Sequence, residues 1–175
     1  ERVQLAIAEA ALLRDAKQPR EAFDVLEPVL ASQPDQTELL YESALLAEKI
    51  GRLDVLESRL RRLIELRPNS AQAYNALGYS LADRNLRLPE ARALIEKALE
   101  LSPDDYYILD SMGWVLFRQG DLNAALAHLE RAFARKDDPE IAAHIAEVLW
   151  SLGRQDEARR TLVEARRKYP DSEAL

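Results

Sequence analysis

The stretch Tyr74-Asn75-Ala76-Leu77-Gly78-Tyr79-Ser80-Leu81 sets Tyr74, Leu77, Gly78 and Leu81 on one side of a helix, and Ala91, Ile95 and Ala98 follow at a second helical spacing. Leu109, Met112, Gly113, Leu116, Ala125, Leu129 and Ala132 repeat the device in the next unit. Two facing apolar stripes with small residues at matching points describe a pair of helices packed closely together. Outward from this core, Ala22, Ala91, Ala125 and Ala158 recur in step with Pro34, Pro68, Pro103 and Pro170. The period is about 34 residues, the range of stacked helical hairpins in which each unit buries its apolar face against its neighbours.

On the recurring alanine the units run 3–36, 37–70, 71–105, 106–138 and 139–172. Gly51, Gly120 and Gly153, with Asn85 in the third unit, stand where the first helix of each pair must end in a left-handed residue. Asp54, Asp121 and Asp156, or Pro19 and Pro89, then open the second helix. Between units, Pro34-Asp35, Pro68-Asn69-Ser70, Ser102-Pro103-Asp104 and Asp138-Pro139-Glu140 stop one helix and cap the next. Pro28, inside the second helix of the first unit, should bend it.

With 175 residues, 47% hydrophobic and 31% charged, the chain has the content of a folded protein able to bury a core. A net charge of -7 argues against a nucleic-acid partner, whose phosphates are bound by clustered Lys and Arg. The cluster Arg59, Arg61, Arg62 and Arg67 alternates with Glu57 and Glu65, the pattern of a solvated helix face. Zero cysteines exclude disulfides and thiolate chemistry. No apolar run approaches a membrane span, and the opening on Glu1 reads as that of a processed or excised piece.

These residues resemble the tetratricopeptide repeat, most specifically in the third, fourth and fifth units. The resemblance implies an all-α, right-handed superhelical solenoid of about five helix-turn-helix hairpins. It also implies that the second, fifth, ninth, twelfth and thirteenth residues of each unit are free to meet a ligand on the concave face. Carried onto this chain, those positions give Tyr41, Tyr79, Asp83, Asn75, Tyr107, Asp110, Trp114, Phe117 and Trp150 as the partner-binding set. The expected partner is a protein or peptide, with Tyr79, Tyr107, Trp114 and Asn75 at the centre and Tyr79 and Tyr107 exposed. The Lys, Arg and Asn that grip a C-terminal carboxylate in one subset of the family are replaced here by Tyr41, Leu45, Ala76, Tyr107 and Ser111.

Neither His128 nor His144 has a His or carboxylate four residues on, so no zinc pair is expected. Asp83 and Asp110 are expected to approach across adjacent helices as polar contacts to a peptide rather than as an acid and base pair. The chain therefore reads as non-enzymatic, with no cofactor and no metal. The helix from Val3 to Leu13 is apolar nearly all round, which implies a preceding element or homo-association through it, whereas Arg159 and Arg166 mark the last helix as terminal. The motifs also resemble the C-terminal repeats of proteobacterial envelope lipoproteins, which implies a periplasmic or outer-membrane-anchored scaffold. One role carried by that resemblance is an adaptor for a carboxyl-terminal processing protease. A self-assembling scaffold and the recognition arm of a larger enzyme are the alternatives.

Overall fold

A computed structural model describes residues 1–175, and all regular structure in it is helical. The elements are α1 (Arg2–Asp15), α2 (Pro19–Ser32), α3 (Thr37–Lys49), α4 (Leu53–Leu66), α5 (Ala71–Asp83), α6 (Leu88–Leu101), α7 (Tyr106–Arg118), α8 (Leu122–Arg135), α9 (Pro139–Ser151) and α10 (Gln155–Lys168). Each odd-numbered helix pairs with the even-numbered one that follows it, reproducing the five hairpins of the sequence period. The chain packs as two compact units, Glu1–Leu77 and Gly78–Leu175, the boundary falling within α5.

In the first unit α2 packs on α1 and α3, and α4 on α3. Its core is Ala22, Phe23, Leu26, Leu39, Ala44, Leu56 and Leu60, all at most 2% exposed. Arg52 and Arg59 stack over the Phe23 ring at 5.5 and 5.0 Å, covering an aromatic edge with guanidinium planes. Arg59 also pairs with Glu27, Arg61 with Glu57, and Arg62 with Asp35 and Glu65, so three of the four arginines of the basic cluster face carboxylates. Pro28 lies on the exposed side of α2, which runs through it unbroken.

In the second unit α8 packs on both α7 and α9, and α10 on α9. Two close approaches set its geometry. A Cβ on Gly78 would stand 2.6 Å from Ile95 Cγ1 and 2.9 Å from the Ala91 carbonyl oxygen, and one on Gly113 would stand 2.5 Å from Leu129 Cγ. Glycine is thus required by contact with the partner helix at these points, while Gly51, Gly120 and Gly153 meet open space and are required by positive φ.

Three local expectations need correction. Left-handed turns also occur at Lys17 (φ 60°) and Arg87 (φ 42°), the first filling the place of Gly51 in its own unit. Arg87 follows left-handed Asn85 (φ 56°) by two residues, and this second kink takes up the extra residue of the third unit. The caps of α3 and α7 are Gln36 and Asp105 rather than Asp35 and Asp104: each accepts two backbone N–H groups of the first turn. Asp35 and Asp104 instead bind Arg62 and Arg135.

Candidate partner-binding face

In the first unit, Tyr41 is half-buried and lines a shallow hollow of about 420 Å³ with Gln36, Glu38, Arg67 and Gln72. Glu38 and Gln72 are the second residues of their units and Tyr41 the fifth of its own, so positions with predicted ligand access do converge here. Asn75, half-buried on α5, holds its Oδ1 out of solvent without a hydrogen-bond donor.

The second unit gathers the rest around Trp114. Its indole Nε1–H donates to Asp83 Oδ1 at 3.1 Å, its ring stacks on His144 at 4.1 Å and 20°, and Phe117 lies 5.0 Å away. Arg118 stands 4.8 Å over the same ring and donates to the Asp83 carbonyl oxygen at 2.9 Å. Trp114 is therefore only 4% exposed, which corrects its assignment as a central contact. The indole fills space between helices, and its single donor is spent within the fold.

Asp110 is corrected in the same way. It is 6% exposed, and His144 Nδ1–H donates to its Oδ1 at 2.8 Å, so it faces a histidine one repeat later rather than Asp83 or solvent. Burial works to lower the His144 pKa, but the hydrogen bond and charge of Asp110, with Glu140 and Glu147, outweigh it and leave it raised. His128 bonds the Ala124 carbonyl of its own helix, and no group of three or more His, Asp or Glu converges on a point.

A raised folded-state pKa means that protonated His144 stabilises the native state. That contribution is complete below the ordinary value of 6.5 and is lost as pH rises through the folded pKa. Stability should fall as pH rises above 6.5 toward the folded pKa, by at most about 1.4 kcal/mol per pH unit. Denaturant melts of the wild type and His144→Gln across that range test it, the substitution being expected to flatten the slope.

Tyr79 is half-buried rather than exposed, because its hydroxyl donates to Glu140 Oε1 at 3.4 Å. The bond reaches from α5 past α7 to α9. Burial and the charges of Glu140, Asp83 and Asp110 raise the Tyr79 pKa, and the hydroxyl stays a donor. Tyr107, on α7, is 56% exposed and Trp150, on α9, 50%. A hydrogen bond with Tyr106, then burial, pushes the Tyr107 hydroxyl up to about 12. Asp83 is exposed and Phe117 half-buried, and Arg159 lies 5.6 Å over the Trp150 ring. A second groove of about 430 Å³, walled by Phe133, Ile145, Leu149 and Ala165, contains none of the residues singled out by sequence.

Tetratricopeptide repeat models match residues 57–106 and 116–175, together more than half of the chain. Over 145 residues, 83% of the chain, it is 46% identical to the TPR repeat-containing protein PA4667 of Pseudomonas aeruginosa. It is 29% identical over 153 residues to tetratricopeptide repeat protein 21A of Mus musculus. The chain spans only 25% and 11% of the lengths of these two relatives. Among solved structures, TTC0263, a thermophilic TPR protein of Thermus thermophilus, superposes with a TM-score of 0.87 at 24% identity, over 97% of this chain and 92% of that one. MamA of Desulfovibrio magneticus RS-1 superposes with a TM-score of 0.74 at 15% identity, over 98% of each chain. No helix is long and apolar enough to cross a membrane. Period, paired helices, close-contact glycines and the matched models agree: the chain belongs to the tetratricopeptide repeat family.

Proposed function

We propose that this chain is a non-enzymatic scaffold that holds an extended segment or helix of a partner protein against the α5, α7 and α9 face of Gly78–Leu175. The observation that carries it is the exposure of two large rings, Tyr107 on α7 and Trp150 on α9, at unit positions where the family meets its ligands, while Trp114 is packed within the fold. Rigid rings bury much area at little entropic cost, and Asp83, Glu140 and Glu147 beside them supply polar register. The hollow around Tyr41 extends the same use to Glu1–Leu77.

Tyr107→Ala and Trp150→Ala should each weaken an identified partner by about 2 kcal/mol while leaving the melting curve unchanged. Isothermal titration with the two variants decides it, and unchanged affinity in both discards the face. Trp114→Ala serves as the contrast, since its effect should appear first in stability.

The finer role, an envelope adaptor delivering substrates to a carboxyl-terminal processing protease, rests on the motif resemblance and fits a relative in Pseudomonas aeruginosa. Capture from an envelope extract tests it: recovery of such a protease by the wild type and its loss with the double substitution at Tyr107 and Trp150 is the expected result.

A further inference from the structure

Leu5 and Leu12 of α1 are 67% and 72% exposed, although the residues at the same unit positions elsewhere are sealed. Leu39 and Leu46 of α3 are 0% and 3% exposed, Ile108 and Val115 of α7 2% and 0%, and Ile141 and Val148 of α9 2% and 0%. The side these residues occupy follows from Gly113, which faces Ala125 and Leu129 of its own hairpin partner. Ile108 and Val115 lie roughly 140–160° round the helix from Gly113, so the partner helix does not cover them. Nor does a following hairpin, because α9 has none after it here and its pair is equally sealed. What remains is the preceding hairpin: α8 packs on α9, α6 on α7 and α2 on α3.

Gln4 and Arg14 of α1 turn toward α3, where they bind Glu38 and Glu42, and this leaves Leu5, Ala8 and Leu12 as one outward apolar stripe. A second copy is poorly suited to cover it. The last helix, α10, carries Arg159 and Arg166 where α2 carries Phe23 and Leu30 and α8 carries Leu126 and Phe133, so head-to-tail stacking would bury two guanidinium groups. The Pseudomonas aeruginosa relative is about four times the length spanned by this chain, which is room for more hairpins of the same kind. We propose that the Leu5, Ala8 and Leu12 stripe is a docking surface for one further helical hairpin, laid on α1 as α7 and α8 lie on α9, and joined ahead of it in the same polypeptide.

The test places a copy of residues 106–138 in place of Glu1 and Arg2, so that the copied α8 meets α1 in the register it has with α9. The thermal midpoint should rise by roughly 5 °C or more. Leu5→Glu with Leu12→Glu should abolish that rise while shifting the parent chain by about 1 °C or less. In a chain without cysteine, Leu12→Cys provides a second readout, its thiol-labelling rate being expected to fall at least about tenfold when the hairpin is added. A grafted chain that gains one hairpin of helix by circular dichroism but neither midpoint nor protection overturns the proposal. So does a parent chain that sediments as a dimer and becomes monomeric with the two glutamates, since the occupant is then a second copy.

Discussion

His144→Ala should lower the unfolding free energy by about 3 kcal/mol, because it strands the Asp110 carboxylate with no donor at a site 6% exposed. In a chain of this size that is a fall of roughly 10 °C in thermal midpoint. Asp110→Ala should cost a similar amount, by leaving a buried imidazole stacked on Trp114 without its acceptor. The double substitution should cost far less than the sum, since a pair removed together leaves nothing unpaired. A double-mutant cycle by urea melts should therefore return a coupling energy of about 2 kcal/mol or more. Additive losses would mean that the two side chains stabilise the hairpins independently, contrary to the 2.8 Å bond between them.

Alanine at Gly78 or Gly113 should destabilise by about 2 kcal/mol even though alanine gains about 1 kcal/mol in helix propensity over glycine. The opposing atoms decide the sign. At Gly78 one of them is the Ala91 carbonyl oxygen, at 2.9 Å, and backbone cannot swing aside. At Gly113 it is the branched Cγ of Leu129, itself fully buried, so relief requires the whole of α8 to move away from α7. Gly120→Ala is the control: its Cβ meets open space, and its cost of about 1 kcal/mol comes only from the left-handed backbone. Equal effects at Gly113 and Gly120 would show that conformation rather than close packing keeps glycine in α7.

The hairpins were legible because close helix contact favours small residues: Gly78 against Ala91 and Gly113 against Ala125 recur at the repeat period, and Ala10, Ala44 and Ala146 hold the same place in the other units. Exact caps were less legible, since Asp35 and Gln36, or Asp104 and Asp105, are adjacent acceptors whose roles only the chain path separates. Lys17 and Arg87 carry no local sign of a left-handed turn, although the position of Lys17 in its unit would have shown it. Of the residues that the repeat positions single out, Tyr107 and Trp150 are exposed, whereas Trp114 and Asp110 are buried. Partners sought at helical spacing within one element miss what stacking provides: His144 lies 34 residues from Asp110 and Asp83 31 from Trp114, distances that become contacts only between successive hairpins.

The double kink at Asn85 and Arg87 bears on how such arrays change length. The third turn has absorbed a surplus residue while Gly78 keeps its seat against Ala91, which makes this exposed bend the natural place to splice in a tag, a fluorophore acceptor or a protease cleavage sequence without shifting the helices on either side.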